Sequence, residues 1–277
     1  MSVHAQEVDA GERFEFGENW RRFLSVVNDD RVSEARLSLQ NWLSLQTLEG
    51  LTVLDIGCGS GLFSLAAAQL GAERVHSIDF DPSSVACAGE LKRRFLPGAE
   101  QWSIEEGSAL DADYIRSLGQ FDIVYSWGVL HHTGDMHRAL ENAAIPVAPG
   151  GRLVVSIYND QGRNSRIWRR IKKGYLAVPK WLRTAYVVLV MAPRELRQLW
   201  ASKFHPGSYL RSWTDYHKQR GMSRWHDLVD WVGGYPFEVA KPEEIFDFYS
   251  ERGFVLKRLK TCAGGLGCNE YLFEKAH

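Results

Sequence analysis

The stretch Val53–Gly61 reads VLDIGCGSG, a run of strand character broken by three glycines at alternate positions, Gly57, Gly59 and Gly61, with Cys58 between the first two. Glycines that follow a strand let a ligand approach the backbone closely. A dinucleotide loop spaces its glycines G-x-G-x-x-G, but the third of those positions is Leu62 here, and the Gly-Lys-Ser/Thr ending of a P-loop is absent. The loop is therefore built for close approach, not for cradling a phosphate. Asp55, just before the glycines, puts a carboxylate at the end of a buried strand, which is costly without a polar or cationic partner. Asp79 ends a second strand-like run, where a carboxylate can take both hydroxyls of a ribose. A ligand with a ribose, a cationic part and no phosphate fits these residues, and S-adenosylmethionine is such a ligand.

Other reactive side chains cluster after later strands. His131 and His132 follow a fourth strand-like run, and either imidazole could act as a general base. The competing role is to shape the loop. Tyr158, a further catalytic candidate, and Asn159, a candidate acceptor contact, end a fifth strand and should face the same cleft, although the strand end with Asn159-Asp160 also reads as an Asx turn. Ser126 and Trp127 end the fourth strand, Trp127 as a wall of the same cleft. Asp79-Phe80-Asp81 could instead be the metal-binding D-x-D of a glycosyltransferase. The four cysteines form neither zinc-ribbon pairs nor a disulfide framework, and His and Cys show no metal-ligand spacing, so no metal is expected.

These residues need a frame. Strands at Leu51–Ile56, Arg74–Asp79, Gln101–Glu105, Phe121–Ser126 and Arg152–Tyr158 alternate with helical patterns at Leu62–Leu70, Pro82–Phe95 and Met136–Val147. Such alternation implies βαβ units, hence an α/β doubly wound, mostly parallel sheet with helices on both faces. It stops at residues 160–236 and resumes with a helix opened by Pro242, a strand at Phe254–Thr261 and a hairpin into Asn269–Glu274. The expected organisation is an N-terminal helical cap over 1–48, a core from 49–159 and 237–277, and a helical insertion over 160–236. With 277 residues, 45% of them apolar, and a net charge of -1, the chain can bury a large core and is not a wholesale nucleic-acid binder. A polar N-terminus and the lack of a membrane-spanning apolar run favour a cytoplasmic protein.

Five ordered motifs then carry a resemblance. VLDIGCGSG, SIDFD, EEGSAL, FDIVYSWGVLHHTGD and APGGRLVVSIYN are similar, in order and spacing, to motifs of the class I S-adenosylmethionine-dependent methyltransferases, especially the ubiquinone- and menaquinone-type methylases. The resemblance implies a seven-stranded sheet of order 3-2-1-4-5-7-6 with strand 7 antiparallel. It places Gly57 and Gly59 against the methionine part of the cofactor, Asp79 on the ribose, Phe80 beside the adenine, and Ser108 and Ala109 at the adenine edge. Many relatives carry Asp where this chain has Ser108, a weaker partner for the exocyclic amine. The implied activity is methyl transfer, foremost to an oxygen of a small-molecule, quinol-like or glycan acceptor, because SWGV replaces the Asn/Asp-Pro-Pro-aromatic signature of nucleobase and glutamine methylases. N- or C-methylation of a small molecule, a glycosyltransferase and a catalytically silent partner subunit are the alternatives.

The insertion has its own character. From Arg163 to Lys203 it carries eleven lysines and arginines against one acid, Glu195, a local charge of +10. Aromatic and aliphatic residues interleave with these charges. Three roles follow: a lid over an anionic acceptor, a peripheral dock on anionic lipid, or, least favoured, an RNA surface. Trp225, Trp231, Tyr235 and Glu238, in the RWHDLVDWVGGYPFEVA stretch, are the expected acceptor-facing residues.

Overall fold

A computed structural model describes residues 3–202, 206–216 and 223–277; Lys203, the last cation of the basic run, lies outside them. Seven strands form one sheet, buried on both faces at its centre, as strands sandwiched between helices must be. They are β1 (Thr52–Ile56), β2 (Arg74–Asp79), β3 (Trp102–Glu106), β4 (Phe121–Trp127) and β5 (Val147–Tyr158), joined by the closing hairpin of β6 (Phe254–Lys260) and β7 (Cys268–Lys275). Their order is β3-β2-β1-β4-β5-β7-β6, with β7 antiparallel to both neighbours. The fold is the expected one.

Local chemistry sets the helices between them: α4 (Leu62–Gln69), α5 (Pro82–Phe95), α6 (Ala112–Ser117), α7 (Met136–Ala144) and α12 (Pro242–Ser250). Asp81 caps α5 by accepting from the Ser83 N–H at 2.8 Å, with Pro82 in the first turn, where its missing N–H costs nothing. Two boundaries depart from the sequence reading. The helix before β5 stops at Ala144, because Pro146 follows within two residues and its carbonyl accepts the Phe121 N–H at 2.8 Å. Strand β5 starts five residues early, at Val147, its register against β4 shifting between Phe121 and Ile123.

Helices α1 (Val3–Asp9), α2 (Phe16–Phe23) and α3 (Asp29–Leu43) precede the sheet, α3 packing on α4 in one of two cores that flank it. The insertion is helical throughout its described part: α8 (Arg163–Ala177), a 3-10 turn at Lys180–Leu182, α9 (Arg183–Ala201), α10 (Pro206–Thr214) and α11 (Arg224–Gly233). A third core joins Tyr175, Val187, Met191, Leu228, Val229 and Val232 of the insertion to Phe14 of the N-terminal segment. The two segments that leave the sheet thus meet each other above its carboxyl edge. No helix among the described residues is long and apolar enough to cross a membrane.

Candidate active site

A cavity of about 530 Å³ opens at the carboxyl edge of the sheet, within the range of small-molecule sites. Its floor is the glycine loop. Gly57, Gly59 and Gly61 take φ values of 78°, 54° and 78°, a region that side chains rarely enter. A Cβ on Gly57 would collide with Val129, and one on Gly59 would lie 2.8 Å from Trp20 Nε1. Gly61 faces away from the cavity and lets α4 approach Ala88 and Trp102. The first two glycines serve the site and the third serves packing.

Under the loop runs a buried relay. Trp102 Nε1 donates to Ser77 Oγ at 2.8 Å, Ser77 to Ser64 Oγ at 2.7 Å, and Ser64 to Asp55 Oδ2 at 2.5 Å. Burial pushes the Asp55 carboxyl up to about 7, and the Ser64 hydroxyl only partly offsets this. Asp79 ties the two motifs together: Oδ2 accepts the Gly59 N–H at 2.8 Å and Oδ1 the Asp81 N–H at 2.9 Å. Burial raises its carboxyl to about 6, so it is mainly ionised at neutral pH. Asp55, Gly57, Cys58, Gly59, Asp79, Phe80, Ser108, Ala109 and Trp127 all line the cavity. Ser126 does not; its hydroxyl donates to the Ile56 carbonyl at 3.0 Å inside the sheet.

The D-x-D reading fails on geometry. Asp81 accepts from the Gly17 N–H at 2.7 Å as well as from Ser83, so its carboxylate ties α2 to α5.

The two histidines part company. His131 is fully buried behind the wall, its ring 3.9 Å from that of Tyr158, and burial holds it neutral. His132 lines the cavity, with Nδ1 2.6 Å from the Pro236 carbonyl oxygen. A carbonyl only accepts, so Nδ1 carries the proton and Nε2 keeps its lone pair. Burial, with Lys172 nearby, depresses His132 to about 3. It is a neutral and weak base across the physiological range.

Tyr158 and Trp231 also line the cavity, their rings edge to face at 4.9 Å. Behind them Lys172 is wholly buried, its ammonium hydrogen-bonded to the Trp231 carbonyl and 5.3 Å from the Tyr158 ring. Burial lowers Lys172 to about 7. Its folded value lies below its unfolded one, so stability is full above about pH 10 and is lost as pH falls towards 7. Lys172→Met is therefore expected to gain stability relative to the parent as pH falls over that window, which denaturation midpoints across pH will show.

Four expected acceptor contacts lie elsewhere. Glu238 accepts the Gly134 and Met136 N–H groups at 3.1 and 3.0 Å, holding the start of α7, a capping role that suits a carboxylate. Asn159 Oδ1 accepts from Asn269 Nδ2 at 3.0 Å, pinning the closing hairpin. Trp225 packs against the third core, and the Tyr235 ring sits 5.4 Å from the Lys173 ammonium. None of the four lines the cavity.

Other wall residues carried no local sequence signal. Arg13 donates to the His132 and Thr133 carbonyls at 2.8 and 3.2 Å and lies 5.0 Å from the Phe80 ring. Trp20 joins it from α2, Arg224, Asp227 and Asp230 from α11, and Glu270 from β7. Seven acids and three arginines line the cavity, and of the ten described cations in the basic run only Arg194 does. Nine of the ten described cations of the run thus lie outside the cavity lining.

The comparisons with known proteins agree with this geometry. Residues 22–229 match the profile of a methyltransferase-domain family. The chain is 30% identical over 223 residues to the ubiquinone biosynthesis O-methyltransferase of Erwinia tasmaniensis, covering 78% of this chain and 82% of that one. It is 32% identical over 148 residues to the ribosomal protein L11 methyltransferase of Methylococcus capsulatus, but spans only 47% of that protein's length. Magnesium protoporphyrin IX methyltransferase from Synechocystis, solved with bound SAH, shares the fold with a TM-score of 0.53 and 17% identity, covering 87% of this chain and 81% of that one. The chain belongs to the methyltransferase-domain family. It is a class I S-adenosylmethionine-dependent methyltransferase.

The residues present fit that cofactor. An ionised Asp79 at the cavity wall suits a ribose, Phe80 offers a ring beside it, and the loop has room for backbone contact only. When bound, the cofactor supplies a methyl group on a sulfonium, open to in-line displacement.

Proposed function

We propose that the protein methylates the hydroxyl oxygen of a small, quinol-like or phenolic acceptor. The observation that carries this reading is His132, a neutral imidazole on the cavity wall with its Nδ1 proton committed to Pro236. An imidazole depressed to about 3 is too weak to ionise an alkanol, but it can accept a proton from an acidic hydroxyl as the oxygen's charge is consumed in a new bond. Tyr158, Trp231 and Trp127 are flat walls that would align an aromatic ring, and holding the reactants in line can supply roughly 7–11 kcal/mol of the barrier. The similarity to a ubiquinone biosynthesis O-methyltransferase over most of both chains supports the same acceptor class.

The test is a panel of catechols, phenols, alkanols and amines assayed with radiolabelled methyl donor. Turnover is expected on the phenolic members, rising with hydroxyl acidity until the phenol is ionised in solution. Transfer confined to amines or alkanols would overturn the reading.

A further inference from the structure

Helix α9 buries one apolar edge, Val187 and Met191, in the third core. A second apolar edge faces solvent. Leu189 is 74% and Trp200 69% exposed, with Val188, Leu196 and Leu199 exposed beside them, and Trp181 in the preceding turn is 80% exposed. At 3.6 residues per turn, the five exposed residues of α9 fall within roughly a third of the helix circumference. Contiguous apolar patches of this kind mark interaction sites. Leu210 of α10 is exposed as well.

The same hairpin is rich in exposed cations. Arg163, Arg166, Arg169, Arg170 and Lys173 on α8 and Arg197 on α9 are all exposed. The one acid of the stretch, Glu195, is turned inward onto Arg224 at 2.8 Å, so it does not neutralise the outer face.

We propose that the α8–α9 hairpin is a docking face for the surface of an anionic lipid bilayer. Trp181, Leu189 and Trp200 enter the boundary between headgroups and acyl chains, while the α8 arginines meet lipid phosphates. Basic helices with tryptophan and leucine on one side bind bilayers in this way. The other occupants fit less well. A second copy meeting the same face would bring two strongly basic surfaces together, and a nucleic-acid backbone offers the apolar edge nothing to bury. The proposal stands apart from the acceptor chemistry, since the edge lies on the side of α9 away from the core and, of the run's described cations, only Arg194 reaches the cavity.

The test is co-sedimentation of the full chain with vesicles of phosphatidylcholine mixed with phosphatidylglycerol, against phosphatidylcholine alone. Binding is expected to the anionic vesicles and to weaken with salt. Trp181→Ser/Leu189→Ser/Trp200→Ser should weaken it by about tenfold or more. Arg166→Gln/Arg169→Gln/Arg170→Gln should weaken it by about fivefold per lost cation. The replaced side chains are solvent-facing, and calorimetric affinity for S-adenosylhomocysteine should hold in both variants, showing that the fold is intact. Failure of the parent chain to sediment, or unchanged binding by the apolar triple variant, would overturn the proposal. So would a concentration-dependent dimer that the apolar variant abolishes, or retention of RNA without binding to vesicles.

Discussion

His132→Gln is expected to lower kcat on a phenolic acceptor by about 10²–10⁴-fold while leaving cofactor affinity unchanged. Glutamine preserves a side chain able to donate to the Pro236 carbonyl but cannot take a proton. The deficit should shrink on an acceptor that is already ionised at the assay pH, because that acceptor needs no base. A pH profile adds a second check. His132 stays neutral down to about pH 3, so its protonation produces no acid limb in kcat between pH 5 and 8. His131, behind the wall and out of the cavity, is the control: His131→Phe should alter stability far more than turnover. Equal losses of cofactor affinity and turnover in His132→Gln would instead assign His132 to shaping the loop that Arg13 grips at its carbonyl.

Asp79→Ala is expected to weaken binding of S-adenosylmethionine and S-adenosylhomocysteine by roughly 1.5–3 kcal/mol, the value of hydrogen bonds to a charged group. The effect has two sources in this structure. The carboxylate faces the cavity, and it also holds the Gly59 N–H that shapes the floor. The raised carboxyl adds a pH signature. Ribose hydroxyls donate to the ionised form, so affinity should be flat above about pH 6 and fall below it by up to about tenfold per unit. Asp55, raised to about 7, would add its own step at higher pH. Folding stability runs the opposite way. Asp79 has a folded value above its unfolded one, so its contribution is full below about pH 4 and is lost as pH rises through about 6. Calorimetry of S-adenosylhomocysteine binding at several pH values, for the parent and for Asp79→Ala, reads both effects. An unchanged Kd in the variant would move the ribose to another part of the cavity.

Much of this protein is legible from local pattern. Strands buried on both sides read as apolar runs, and a loop that must bend to positive φ beside a ligand admits little but glycine, so β1, β4, the second half of β5 and Gly57 and Gly59 stand out unaided. Asp79 is visible for the same reason, since a carboxylate at the end of a buried strand needs a purpose. Tertiary structure alone decided the rest. Adjacent histidines look alike in sequence, yet the 3-10 turn at Leu130–His132 turns His132 into the cavity and His131 into the core. Glu238 and Asn159 look like acceptor contacts until their partners, two backbone N–H groups of another element and the Asn269 amide, are seen to claim them. Trp20 and Arg13 reach the site because the segment from Phe14 into α2 folds back over the sheet edge and shares a core with the insertion, a contact spanning more than half the chain that no short window can encode. Charge behaved the same way. The excess of arginine and lysine is plain in the sequence, but its direction, out to solvent and away from an acid-lined cavity, depends on which side of α8 and α9 the third core buries.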